Sequence, residues 1–263
     1  MQKRHTDRLQ YFNELATTTE KHIIPFIETV RPITPSMQVL EIGCGEGGNL
    51  LPFVRKGCQV VGCDMSPSRI EEAREFFKNE NQAQITLIAS DVFLLKEMYH
   101  RFDLVIIHDV IEHIEEKESF MQHVKDFLAP DAILFVGFPA WQMPFGGHQQ
   151  ICSSKLVSHL PFIHLLPNFL YTALLRGGGE SDKKIEEMLQ IKRSRTSIEC
   201  FNKLIGKLEY KPLKSCYYFI NPHYETKFGL QPRRLWTLIG KMPYLRNFFT
   251  TSAFYILQTK LEK

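Results

Sequence analysis

The feature that most limits the fold is a run of four consecutive apolar residues, Leu104-Val105-Ile106-Ile107, set inside a repeating pattern. A strand without polar alternation must be covered on both faces, which points to the middle of a parallel sheet. Around it, from residue 37 to 140, short apolar runs alternate with amphipathic stretches. Segments 37–42, 59–63, 85–89, 102–108 and 132–138 read as buried strands, and 47–56, 67–79 and 116–128 read as the helices between them. Strand–helix alternation at this spacing predicts an α/β protein with a doubly wound sheet.

The flanking regions follow a different rhythm. Leu9, Phe12, Leu15, Ile23, Ile24, Phe26 and Ile27 have helical spacing, divided or kinked at Pro25, so residues 1–36 are expected to form an N-terminal helical cap. Residues 37–140 form the core. Beyond it, 141–210 lacks strand alternation, carries a Gly177-Gly178-Gly179 hinge, and contains a helical run at 181–208. A helical insertion after the fifth strand is a natural substrate lid. Within 211–263, two late strands at 216–220 and 253–258, separated by a helix at 232–239, would complete a Rossmann-like, mostly parallel sheet of seven strands.

Composition narrows the class. With 44% hydrophobic and 23% charged residues the chain reads as an ordinary soluble globular protein. The polar first residues lead into no apolar signal-peptide core, and six cysteines are scattered without a CxxC pair. Reduced thiols in a cytoplasmic protein are expected. Charge is uneven: residues 1–150 carry 14 Lys and Arg against 21 Asp and Glu, whereas 151–263 carry 18 against 8. A basic half can face an acidic substrate, an anionic membrane or nucleic acid, or can be a plain solvated surface.

Chemistry first appears where strand 37–42 ends in Glu41-Ile42-Gly43-Cys44-Gly45-Glu46-Gly47. Glycines between a strand and a helix let a ligand approach the backbone. Glu41 precedes this loop, where a carboxylate attracts a cationic ligand, and Asp64 ends the next strand, where a carboxylate accepts ribose hydroxyls. Together with Gly62-Cys63-Asp64-Met65-Ser66, Ser90-Asp91-Val92-Phe93 and Phe102-Asp103-Leu104-Val105, this string resembles the class I S-adenosylmethionine-dependent methyltransferases. The resemblance is greatest to the small-molecule branch that holds the quinone-biosynthesis O-methyltransferases. It implies that Glu41, Gly43, Cys44 and Gly45 hold the methionine part of S-adenosylmethionine, and that Asp64 holds the ribose. It further implies that Met65 packs on the adenine, that Asp91 and the Val92 backbone bind its edge, and that His108 closes the methionyl end. Core packing for Met65 and helix capping for Asp91 are the competing structural roles.

After the fourth strand comes Asp109-Val110-Ile111-Glu112-His113. If a helix begins there, Asp109, Glu112 and His113 share one face. With His148 they form a candidate site for a divalent ion such as magnesium or zinc. This pattern resembles the E-x-x-E-H metal site of small-RNA 2′-O-methyltransferases, with the shorter Asp109 in the first position. Alternatively His148 or His113 is a general base, or Glu112 and His113 only orient neighbouring groups. The resulting expectation is O-methylation of a small-molecule, lipid-like or glycan acceptor, with RNA 2′-O-methylation as the alternative; no nucleic-acid-binding module is visible. Residues 156–175 hold no charge but are interrupted by Pro161 and Pro167, which suits a lid or membrane-surface contact better than a span.

Overall fold

The computed structural model describes residues 7–259. Five strands form in the predicted order: β1 (Gln38–Ile42), β2 (Gln59–Asp64), β3 (Ile85–Ala89), β4 (Phe102–His108) and β5 (Leu128–Phe138). They are followed by β6 (Tyr210–Ile220), β7 (Arg233–Arg234) and β8 (Ser252–Thr259). The sheet has eight strands in the order β3-β2-β1-β4-β5-β8-β6-β7. Pairings from β3 to β5 are parallel, whereas β8 runs antiparallel to both β5 and β6. The expected count of seven is therefore short by the two-residue edge strand β7, which occupies part of the predicted helix at 232–239. Arg233 and Arg234 pair with Ile220 and Tyr218, and only Thr237–Gly240 turns helical.

The apolar run in β4 is explained by which way each residue faces. Val105 and Ile107 join the core on one face with Leu40, Leu134, Val136, Phe127 and Phe201. Leu104 and Ile106 point the other way, among Val39, Phe135, Phe53, Phe77 and Ile27. Alternate residues therefore enter separate cores, and every position must be apolar. Helices Lys117–Phe127 and Ile198–Lys207 cover the first face. The N-terminal helical region, Leu51–Arg55 and Pro67–Phe77 cover the second.

The N-terminal cap is one helical rod from Arg8 to Glu28, with a π-turn at Thr19–Ile23 between its α segments. The wider turn lies directly before Pro25, which has no N–H to donate. The helical run predicted at 181–208 is broken into Asp182–Ser194 and Ile198–Lys207. Its break matters to the site. The helices between β5 and β6 also carry a small core of their own, built from Cys152, Val157, Ile163, Tyr171, Leu175, Ile185 and Met188.

Gly48 sets how closely the N-terminal helix can approach. A Cβ at Gly48 would sit 2.5 Å from the backbone oxygen of Phe12, an atom that cannot move without shifting the helix. Gly48→Ala is expected to cost about 1–3 kcal/mol through overpacking. The check is the free energy of urea unfolding; an unchanged value would mean that the helix does not seat against this turn.

Candidate functional site

The carboxyl ends of β1, β2 and β4 converge on the glycine loop, and hydrogen bonds lock that loop to β2. Gly43 and Cys44 donate their amides to Cys63 O at 2.7 and 3.0 Å. Asp64 accepts from Gly45 N at 2.9 Å and from Ser66 N at 2.8 Å, one carboxylate oxygen for each. Each oxygen keeps a second lone pair for a ligand hydroxyl. Gly43 has φ +74°, and a Cβ there would come within 2.5 Å of Val110 Cγ2, so the loop approaches β4 only because it is glycine.

A cleft of about 480 Å³ opens beside this loop, lined by Gly43, Asp64, Met65, Asp91 and Val92 among others. Five of the predicted cofactor residues thus share one cavity. Met65 is 76% exposed on its rim, a conspicuous position for a large apolar side chain. Asp91 caps the turn Val92–Leu94 by accepting from Phe93 N, so its capping role and its place in the cleft coexist.

Glu41, Cys44, Gly45 and His108 are not among the residues lining that cleft. Glu41 is buried beneath the loop, where Oε1 accepts from Asn49 Nδ2 at 2.6 Å and Oε2 is unpartnered. Burial pushes its carboxyl up to about 8 against the opposing Asn49 hydrogen bond. Asn49 Nδ2 also lies 3.5 Å from His108 Nδ1, and its Oδ1 accepts from Thr19 in the N-terminal helix. These buried groups connect the loop, the end of β4 and the cap.

Beside the cleft lies a second chamber of about 440 Å³. The two cavities share Arg69, Asp109 and His113. Glu112, His113 and His148 present ligand atoms within 4.8 Å of one another. The imidazoles of His113 and His148 stand edge-to-face at 5.0 Å. Glu112 is buried and neither carboxylate oxygen has a partner. Desolvation, reinforced by Asp109, holds its carboxyl well above the ordinary range. Burial lowers the pKa of His113, and that of His148 to about 4, so both rings are neutral near pH 7.

Asp109 departs from its predicted place. Instead of an α-helix, the segment forms a single 3-10 turn, Ile111–His113, with Asp109 outside it in the left-handed region at φ 55°. Its carboxylate turns toward His108, at 4.0 Å from Nε2, and is not part of the three-residue cluster. Aspartate tolerates this conformation better than most residues, which permits the chain to turn sharply off β4.

The helical insertion holds the cluster from behind. Ser194 donates to the backbone oxygen of Glu112, and Thr196 donates to that of Ile111 at 3.3 Å. Thr196 O in turn accepts from Trp141 N at 2.9 Å. These contacts arise at the break between the two helices, so the interruption of 181–208 is what lets the insertion grip the 3-10 turn.

Sequence reasoning missed Arg8, Tyr11, Arg69 and Tyr224, which also line the chamber. Arg8 pairs with the buried Glu46 at 3.0 Å, and Arg69 lies 4.0 Å from the same carboxylate. The acidic residue inside the glycine loop was a usable signal, since a buried carboxylate calls for a cationic partner. Next to the chamber, sharing Met143, Phe145, Gln150, Tyr224 and Thr251 with it, is a largely apolar groove of about 680 Å³.

With this geometry in view, known proteins can be compared. A family profile described as "Methyltransferase domain" matches residues 40–134. The core is that of a class I S-adenosylmethionine-dependent methyltransferase. The ubiquinone biosynthesis O-methyltransferase of Chelativorans sp. (strain BNC1) is 32% identical over 100 residues, covering 38% of this chain and 39% of the relative. That of Bartonella bacilliformis is 26% identical over 152 residues, covering 54% and 61%. The chain therefore spans less than two thirds of the length of these relatives, and the alignments centre on the donor-side core.

Solved structures extend the likeness of fold beyond that core to most of the chain. A putative sarcosine dimethylglycine methyltransferase from Galdieria sulphuraria superposes with a TM-score of 0.57 at 14% identity, covering 89% of this chain and 82% of that one. A possible histamine N-methyltransferase from Thermotoga maritima gives 0.56 at 13% identity, covering 98% of both.

The depressed imidazoles make stability pH-dependent. His148 and the fully buried His164, whose pKa burial also lowers to about 4, are neutral when folded. Unfolding restores an ordinary value near 6.5. Between about pH 4 and 6.5 these two imidazoles bind more protons in the unfolded chain, so their contribution to stability is complete above that window and is lost as pH falls through it. The raised carboxyls of Glu41 and Glu112 act in the opposite sense over the same range, so the imidazole contribution, at most about 1.4 kcal/mol per pH unit for each ring, is read by comparing urea titrations of the parent and His164→Gln from pH 7 to 5. His164→Gln should remove that loss, so the variant gains stability relative to the parent as pH falls; an identical pH profile would place the proton uptake elsewhere.

Proposed function

We propose that the chain transfers a methyl group from S-adenosylmethionine to a hydroxyl oxygen of a small, partly apolar acceptor. The single observation that carries this reading is the meeting of the two cavities at Asp109 and His113, which brings the Glu112–His113–His148 cluster beside the donor cleft. The names of the relatives support an oxygen acceptor, and the groove beside the chamber suits an apolar portion of that molecule.

Bound S-adenosylmethionine supplies an electrophilic methyl carbon. Asp64 would receive the ribose hydroxyls, with Met65 against the adenine and Asp91 at its edge. The acceptor hydroxyl would lie in the chamber, where its oxygen forms the new C–O bond as the C–S bond breaks. Its proton would pass to the neutral imidazole of His148 or His113, in each case as a general base.

The cluster also fits a divalent cation, because an unpartnered buried carboxylate beside two neutral imidazoles is a typical N/O ligand set. Glu112, His113 and His148 would hold it, and it would lower the pKa of the acceptor hydroxyl. Glu112→Gln should then abolish binding of zinc or manganese in equilibrium dialysis while leaving donor binding intact. Equal metal uptake by the variant and the parent would remove the cation from the scheme and leave imidazole catalysis.

Donor and acceptor assignments are tested separately. Asp64→Ala should weaken S-adenosylmethionine binding about tenfold or more in a calorimetric titration, since it removes charge-assisted hydrogen bonds. Unchanged affinity would refute the ribose assignment. For the acceptor, the protein is incubated with radiolabelled donor and fractionated cell extract. Label is expected in the organic-extractable fraction; label confined to nucleic acid would replace this reading with RNA 2′-O-methylation.

A further inference from the structure

The groove beside the chamber opens among partly exposed apolar side chains. Phe219, Phe228 and Leu230 line it and are each about half exposed, at 49%, 51% and 47%. Lys155 and His159 stand on its other side, next to the exposed Leu156. Phe162 and Phe248, from separate parts of the chain, approach to 6.3 Å near Pro144, a groove residue whose oxygen accepts from Phe162 N. Following Leu230, the chain pairs as β7 along the outer edge of β6 and then presents Trp236 at 78% and Leu238 at 77% exposure. Met242, Tyr244 and Leu245 continue the exposed apolar series.

Scattered exposed leucines need no explanation, but exposed large aromatics recurring at the groove and along 228–249 do. Their charge environment narrows the occupant. Residues 228–249 contain Arg233, Arg234, Lys241 and Arg246 and no carboxylate, and residues 155–179 contain Lys155 and Arg176 and no carboxylate. Arg246 is neutralised by Glu199 at 2.9 Å and Arg176 by Asp182 at 3.2 Å. Arg233, Arg234 and Lys241 are exposed beside the apolar side chains. Among the described residues no helix is long and apolar enough to cross a membrane. Interleaved aromatics and cations on short, non-spanning elements are the chemistry of attachment to the headgroup layer of an anionic bilayer.

We propose that the groove rim and the basic-aromatic segment 228–249 together dock onto an anionic lipid surface, with the groove open to the apolar layer. The sequence offered such contact at 156–175, with the basic-aromatic texture of 233–249 suiting it as well; the structure gives the larger share of exposed apolar and cationic groups to the segment before β8. An apolar acceptor would then enter the groove from the membrane without crossing water. This last point rests on the acceptor reading given above, whereas docking itself is measured without donor or turnover.

The test is co-sedimentation of the full chain with extruded vesicles of phosphatidylcholine alone or mixed with phosphatidylglycerol. Binding is expected on the mixed vesicles, with weakening as salt rises and little retention on the neutral ones. Trp236→Ser with Leu238→Ser, and separately Arg233→Glu with Lys241→Glu, should each reduce binding by about tenfold or more. Thermal melting of each variant, expected to match the parent, guards against misfolding. No binding to either vesicle, or equal binding to both, overturns the proposal. So does a dimer of the parent in size-exclusion chromatography that Trp236→Ser dissolves, because a second copy would then be the occupant. Loss of methyl transfer with vesicle binding intact would count against the proposed activity alone.

Discussion

Burial of β4 on both faces is the constraint on which the remainder of the molecule depends. Leu104 and Ile106 enter one core while Val105 and Ile107 enter the other, so neither layer of helices can be omitted. With both layers in place, the parallel strands end at a common edge, and loops gather there. The glycine loop leaves β1, Asp64 ends β2, and the 3-10 turn carrying Glu112 and His113 follows β4. The donor cleft and the adjoining chamber are consequences of that shared edge.

Two buried carboxylates show how the edge is tensioned. Glu46 lies inside the glycine loop and draws Arg8 from the cap and Arg69 from the helix after β2. Glu41 reaches the cap through Asn49 and Thr19. Removing a charge from water is costly unless it is paired or protonated, and these groups illustrate both solutions. The N-terminal helix is accordingly part of the site and not just a cover over the sheet. Glu112, its carboxyl likewise held well above the ordinary range, has no hydrogen-bond partner on either oxygen among the described residues, which suits a role completed by a ligand.

Much of the core could be read from the chain directly. Apolar runs located the first five strands, and spacing between glycines and carboxylates located Gly43, Asp64, Met65, Asp91 and Val92, because those residues sit on regular elements or at their ends. Boundaries failed where short-range signals competed with distant partners. Arg233 and Arg234 pair along β6 instead of continuing a helix, a choice made by an available sheet edge. The helical run at 181–208 breaks near Thr196 so that Ser194 and Thr196 can bond the turn at 111–113, and nothing local announces that partner.

The sequence by itself determined the doubly wound core and the glycine loop with Asp64 and Asp91 beside it, since strand period, loop glycines and strand-end carboxylates are set by residues close together along the chain. Tertiary structure alone decided which groups meet around the two cavities. It left Asp109, in a left-handed backbone conformation, at the meeting of the two cavities but outside the Glu112–His113–His148 cluster with which the sequence groups it, and it brought Arg8 and Tyr11 over from the N-terminal helix. It also set the apolar groove against the chamber. Those meetings depend on how separated elements pack in space, and packing distances are not written in the spacing of residues along a chain.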